Sequence, residues 1–419
     1  MTRPGDAPAI EGRLGAGRYA EGAGPAVGGV VTSVHELTTV DGAQVTGVLR
    51  VPSGARTVVT LMHPRQDVTN HALVPYLLAT GHAVWTQGSR SPNNDLNLLH
   101  EQAILDFAAG HAYLRERGFD HVVVLGHSGG ATLAAFYCQQ AALAPGARLA
   151  TAPSGRPVAL NDATMPLPDG AVYLAPHPGQ GALLQRVIDP SVTDENDPLS
   201  VDPSLDPFAV ANGFVEAPSP TAYSSGFVAA YREAQAARVR RIDAAAAALV
   251  AEGRAANRAF KRSGDAGERR RALAPRIVTV YRTDADLRNV DLSLDPNARP
   301  YGSLFGRRPD LTNYGLVGFG RMSTAEAWMS TWSVNTTNAD FLRCAPGVTV
   351  PTLLLEFTGD QASFPSDIAA FSGALGAADL TVDAVPGTHF GRPLTEDAPS
   401  GNELASQVIE KWLTPRFPT

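Results

Sequence analysis

Between His121 and Ala141 the chain reads HVVVLGHSGGATLAAFYCQQA, and no other stretch restricts the fold so tightly. A short apolar, β-branched run of buried-strand length ends at Gly126-His127, and a run of helix formers begins after Gly130. Ser128 therefore sits on a strand-turn-helix bend, the context required of a nucleophile elbow. Such a bend presses neighbouring backbone together, so the positions two before and two after the serine must be small; here they are Gly126 and Gly130. In a chain with 40 glycines the same five letters can also arise as a plain turn, and it is the flanking strand and helix that favour the functional reading.

The surrounding segments extend the pattern. VVTSVHELTTV and AQVTGVLRV flank Asp41-Gly42, which suits a tight hairpin turn. TVVTLMH at 57–63, HAVWTQG at 82–88 and HVVVLGH at 121–127 read as buried strands, separated by the helical patterns of HALVPYLLATG and NDLNLLHEQAILDFAAGHAYLRERG. AVYLAPHPG at 171–179 reads as a further strand, after which the alternation stops. Residues 185–220, dense in Pro and Asp, predict a long irregular loop; Ser225 to Ala274 predicts one or two long helices, with Gly253 and Ser263-Gly264 as possible breaks. Ser323-Thr324-Ala325-Glu326 fits a capping box opening the helix AEAWMSTW. PTLLLEFTG at 351–359 and DLTVDAVPG at 379–387 restore strands before the closing helix ELASQVIEKWL. The fold class expected is α/β, a mostly parallel sheet with helices on both faces and a mainly helical cap insertion. The boundaries expected are a flexible arm over 1–28, a core over 29–180 and 346–419, and a cap or lid over 181–345.

At 419 residues, 44% hydrophobic and 18% charged, the chain can bury a sizeable core. A net charge of −7 offers no global attraction to nucleic acid or anionic lipid, so neither is expected as a partner. Cys138 and Cys344 are too few for a disulfide framework and are expected to be reduced and structural. The N-terminal stretch has no apolar core of signal-peptide length, and no segment approaches about 18 uninterrupted apolar residues, so a cytoplasmic location is expected.

A serine hydroxyl needs a base to take its proton as it attacks and donors to hold the oxyanion that forms. The chain resembles the α/β-hydrolase family over most of 30–150 and 345–415, on the elbow and the strands around it. That resemblance implies the chain order nucleophile, acid, histidine. Downstream of Ser128 stand only His177 and His389; His389, in VPGTHFG beyond a late strand, occupies the place of the base, and His177 is read as structural or pocket-lining. Asp360, after PTLLLEFTG, is the favoured acid. In the family the acid commonly lies a few residues further past the glycine, which keeps Asp367 as the alternative, and either aspartate can instead be a helix cap.

The resemblance also implies oxyanion donors from the N–H of Gly129 and from the loop His63-Pro64-Arg65-Gln66-Asp67. Pro64 has no N–H, so Arg65 is the expected second donor, with Gln66 next. His63 and His127 are candidate substrate-contacting residues, each equally readable as a hydrogen-bond partner within the fold. Arg65, Asn70 and His71 would line the mouth. Trp328, Met329 and Trp332 either face an acyl pocket or pack in a core, and Trp328 and Trp332 are taken as substrate-binding.

In the insertion, Arg232 to Arg271 carries 11 Arg or Lys against 5 Asp or Glu, a net +6. This reads as a solvated helical face partly paired with the acidic loop at 189–206, lacking the interleaved aromatics of a nucleic-acid site. Asp194, Glu195, Asp197, Asp202 and Asp206 match no EF-hand spacing, and no metal or other cofactor is expected. The expected activity is hydrolysis of a small-molecule acyl substrate, an ester, lactone or thioester. Alternatives are carbon–carbon bond hydrolysis of a diketone-like substrate and a silent binding protein on the same scaffold. A homodimer through the cap helices is a further possibility.

Overall fold

Eight strands pair into one sheet: β1 (Val31–Thr38), β2 (Gln44–Val51), β3 (Thr57–Met62), β4 (Ala83–Gln87), β5 (His121–His127), β6 (Gly170–Leu174), β7 (Thr352–Gly359) and β8 (Leu380–Thr388). Their spatial order is β1-β2-β4-β3-β5-β6-β7-β8, with β2 antiparallel to both neighbours and every other pairing parallel. The computed structural model describes residues 24–92, 94–217 and 219–419. Most of the expected N-terminal arm lies outside the described residues. From residue 24 to 30 the chain has no regular secondary structure, yet Val27 and Val30 pack against the core.

The hairpin turn between β1 and β2 is closed by Gly42, whose φ of 84° favours glycine, and by the Gly42 N–H on the Thr39 carbonyl at 2.9 Å. In the centre of the sheet β3, β4 and β6 are buried along their whole length, which is why they read as unbroken apolar runs rather than as alternation. Successive side chains of β5 serve opposite faces. Val124 joins a cluster with α2 (His100–Glu116), α3 (Gly129–Ala141) and α7 (Pro365–Ala374). Val123 and Leu125 join a second cluster with α1 (Val74–Ala79) and α8 (Gly401–Leu413). Both faces are thus covered by helices, as expected. Cys138 and Cys344 are free thiols buried in the first cluster, and burial pushes each up to about 12.

The chain leaves the sheet after β6 and returns at β7. It first forms α4 (Gln180–Val187), a helix that begins just past the strand read at 171–179 and runs into the stretch read as loop from 185. The segment after α4 is irregular as expected, and its recurrent aspartates have a local purpose. Asp194, Asp197, Asp202 and Asp206 each accept the backbone N–H two residues ahead, at 2.8–2.9 Å, so every one pins a turn. Two helices follow, α5 (Ser225–Ser263) and α6 (Ala266–Leu273). Gly253 stays helical, since one glycine costs only about 1 kcal/mol against the packing of a long helix. The break falls at Gly264, which takes a φ of 69° and returns its N–H to the Phe260 carbonyl, and Asp265 then caps α6. The buried Arg238 on α5 places its fork on Glu195 at 2.9 and 2.6 Å, so the basic helix and the acidic loop are paired. The helix expected at 325–332 is a single α turn continued as a π turn, capped by the Thr324 hydroxyl rather than by Ser323. No helix among the described residues is long and apolar enough to cross a membrane.

Candidate active site

β5 delivers Ser128 to the C-terminal edge of the sheet, and the bend there is tight. Ser128 has φ 56° and ψ −123°, a region costly for a residue with a β-carbon, while its N–H holds the Leu174 carbonyl of β6 at 3.1 Å. The flanking glycines are required by contact. A β-carbon on Gly126 would stand 2.5 Å from the α-carbon of Ala131, and one on Gly130 would stand 2.7 Å from the Met62 carbonyl oxygen. Backbone cannot yield at those distances, so alanine is excluded at both positions.

Two other strand ends converge on the same point. Asp360 follows β7 immediately and His389 follows β8. His389 Nε2 lies 2.8 Å from Ser128 Oγ, and its Nδ1 lies 2.9 and 2.8 Å from the two carboxylate oxygens of Asp360. Asp360 is fully buried, and its Oδ1 also accepts the N–H groups of Ala362 at 2.6 Å and Ser363 at 3.0 Å, which fix the carboxylate against the ring. Asp367 stands apart from this chain. It accepts the Phe364 N–H at the start of α7 and pairs with Arg186 at 2.7 and 2.8 Å, so it is a helix cap and an ion-pair partner.

Arg65 departs from the expected role. Its backbone N–H and that of Gln66 both point at His63 Nδ1, at 3.0 Å each, so neither is available to an oxyanion. The reason is local: with proline at 64, the loop turns back on the ring that starts it. The Arg65 guanidinium is forked onto Asp95 at 2.7 and 2.5 Å and stacks 4.9 Å from the Trp332 ring and 5.2 Å from Phe319. His63 itself is buried with its Nε2 directed toward Gly129.

His127 faces away from Ser128, as the alternation of a strand demands. Its Nε2 meets the His389 carbonyl at 2.9 Å and its Nδ1 meets His71 Nε2 at 2.9 Å, so it contacts the backbone of the loop that carries His389. Trp328 and Trp332 are also placed differently from the substrate-binding expectation. Both are fully buried in an apolar cluster with α4 and α5, and the Trp328 Nε1–H donates to Asp243 at 2.7 Å. Tryptophans spaced along a helix serve a second core as readily as a pocket.

Two residues near Ser128 were undervalued or missed. His177 is buried, with Nδ1 accepting the Gly179 N–H at 3.0 Å, and Gln180, the first residue of α4, is 1% exposed. The spacing of Leu183, Leu184 and Val187 after Pro178-Gly179 carried the signal for that helix. Burial drives His63, His127 and His177 well below the ordinary histidine value, with the Arg65 charge adding to the effect on His63 and His177. Beside His389 opens a cavity of about 540 Å³ lined by Tyr301, Phe305, Gln361, Phe390 and Leu394 among others.

A sheet in this order with β2 alone reversed, a strained serine after β5, an aspartate after β7 and a histidine after β8 together define the α/β-hydrolase fold. No protein-family model matches the chain, and no curated protein matches it. Among solved structures it is similar to DcsB in complex with its substrate analogue, at 12% identity and TM-score 0.49, covering 93% of this chain and 100% of that one. It is similar to the α/β hydrolase GrgF from Penicillium sp. sh18, at 10% identity and TM-score 0.49, with 93% and 100% covered. A bacterial brefeldin A esterase is 14% identical, at TM-score 0.42, with 93% and 77% covered. The fold assignment rests on the strand order and the bend at Ser128.

Proposed function

We propose that this protein is a serine hydrolase that cleaves a carboxylic ester, or a lactone or thioester, through an acyl-serine intermediate. The observation that carries the proposal is the unbroken chain Asp360–His389–Ser128, with contacts of 2.8 Å on both sides of the imidazole. Asp360 holds the proton of His389 on Nδ1, which leaves Nε2 free to accept one. As Ser128 Oγ attacks the acyl carbon, its proton passes to His389 Nε2, and the imidazolium is stabilised by the buried carboxylate. Collapse of the tetrahedral adduct expels the alkoxide or thiolate side of the substrate, which takes that proton from His389 and becomes the alcohol or thiol. Water then attacks the acyl-serine as it gives a proton to His389 Nε2, and that proton passes to Ser128 Oγ as the bond to the acyl group breaks and the acid is released.

In this scheme Gly129 donates to the oxyanion. It is the first residue of α3, so its N–H is one of the terminal donors that have no partner within the helix, next to Ser128 in the chain. The test is labelling with a fluorophosphonate probe. Wild type is expected to be labelled at Ser128, and Ser128→Ala is expected to lose labelling with its unfolding transition unchanged. Undiminished labelling of Ser128→Ala would remove the assigned nucleophile.

A further inference from the structure

A tetrahedral adduct on Ser128 needs more than one donor, and the two backbone donors expected of the loop after β3, Arg65 and Gln66, are both engaged elsewhere. Pro64 has no N–H, and the N–H groups of Arg65 and Gln66 are both spent on His63 Nδ1 at 3.0 Å. That arrangement settles the tautomer of His63. An Nδ1 that accepts two hydrogen bonds carries no proton, so the neutral ring is protonated on Nε2. The same logic applies to His177, whose Nδ1 accepts the Gly179 N–H at 3.0 Å. Both rings therefore present an Nε2–H at the end away from the backbone that holds them.

Those two donors point to one place. His63 Nε2 and His177 Nε2 lie 3.0 and 2.9 Å from the position a β-carbon of Gly129 would occupy, and Gln180 Nε2 lies closer still. Gln180 is 1% exposed, and neither atom of its amide has a hydrogen-bond partner of normal geometry, although it lies beside the His100 ring. A buried carboxamide held by the His100 ring alone keeps hydrogen-bonding capacity that a ligand can complete. Three polar tips thus crowd the space where a side chain at Gly129, the residue after Ser128, would stand.

We infer that the oxyanion hole of this protein is built mainly from side chains, with the Nε2–H groups of His63 and His177 and the amide of Gln180 joining the Gly129 N–H. The inference rests on the acyl-serine reading of Ser128. Burial and the nearby Arg65 hold both imidazoles well below the usual histidine range, so they remain neutral donors at neutral pH. A neutral donor stabilises the oxyanion by hydrogen bonding and does not protonate it, which keeps the adduct able to collapse forward. Glycine at 129 is then a steric requirement, since any side chain would displace all three groups.

The experiment compares Gln180→Leu, His177→Asn and His177→Gln with wild type on p-nitrophenyl acetate, after the unfolding transition of each has been checked. Asparagine keeps an acceptor near the Nδ1 position and loses the distal donor, whereas glutamine keeps a donor near Nε2. The expected result is a fall in kcat of about 10²–10³-fold for Gln180→Leu and His177→Asn, with KM within about threefold and partial recovery in His177→Gln. Affinity for phenylboronic acid, which forms a tetrahedral adduct with a reactive serine, should fall in parallel. Folded Gln180→Leu and His177→Asn proteins with kcat within threefold of wild type would overturn the side-chain hole while Ser128 labelling still stood. Absence of Ser128 labelling in wild type would overturn the acyl-serine reading and this inference with it.

Discussion

Replacing His127 with phenylalanine tests how the loop that carries His389 is held. The N–H of Leu73 lies 3.3 Å from His71 Nδ1, His71 Nε2 lies 2.9 Å from His127 Nδ1, and His127 Nε2 lies 2.9 Å from the His389 carbonyl. The carbonyl can only accept, so His127 carries its proton on Nε2 and takes one from His71 on Nδ1. Both rings are kept neutral by burial, His71 down to about 4 and His127 well below its ordinary value. Phenylalanine keeps the ring packed against Phe357 and Phe390 but leaves the His71 N–H and the His389 carbonyl unpaired. At about 1–3 kcal/mol for each buried orphan, the cost is roughly 2–6 kcal/mol, a large share of the 5–15 kcal/mol that holds a typical domain. A displacement of the His389 ring by about 1 Å would also lower turnover by about 10²-fold. His127→Gln places an amide donor near the lost Nε2 and should restore most turnover and about half the stability. Urea unfolding followed by far-UV circular dichroism reads the first effect, and kcat/KM on a p-nitrophenyl ester reads the second. A His127→Phe protein within about 0.5 kcal/mol of wild type and equally active would refute the relay.

Two further outcomes follow from the same site. In Asp360→Asn the N–H groups of Ala362 and Ser363 will keep the amide oxygen at the Oδ1 position, turning the NH₂ toward His389 Nδ1. His389 must then be protonated on Nε2 and cannot accept from Ser128, so kcat should fall by about 10⁴-fold with the fold intact; a loss under tenfold would show the carboxylate to be dispensable. The protein should also be acid-labile. His71 and His100 are lowered from 6.5 to about 4, so as pH falls through 6.5 the unfolded chain takes up protons that the folded one refuses. The stability involved is fully present above pH 6.5 and is lost progressively down to about pH 4, at about 3 kcal/mol for each of the two rings. Equal urea midpoints at pH 7.5 and pH 5 would contradict it.

What could be read in the sequence divides along physical lines. A parallel sheet sends the C-terminal ends of its strands to one edge, so a bend after β5, an aspartate after β7 and a histidine after β8 must come near one another, and chain order points to Ser128 and His389 while leaving Asp360, the favoured acid, with Asp367 as its alternative. The strands themselves were legible because burial on two faces writes continuous apolar runs. The cap of α7 was half legible: Asp367 reads as the alternative acid or as a first-turn carboxylate, and its bonds to the Phe364 N–H and to Arg186, 181 residues earlier, place it at the helix. The long excursion was least legible, because Trp328 and Trp332 obey the same spacing in a second core as they would beside a substrate.

The oxyanion donors were hidden for a different reason. Whether the Arg65 N–H is free depends on which way the His63 ring turns, and the tautomer of that ring follows from the turn. Neither is a property of residue type or spacing. A proline at 64 announces that the usual backbone donor is missing, but not that a ring at 63, another at 177 and an amide at 180 point into the space above Gly129. Sequence order follows the path of the chain through the sheet, whereas donor geometry is decided by hydrogen bonds made after the chain has closed, and so the nucleophile we propose can be read from letters while the anion site we infer cannot.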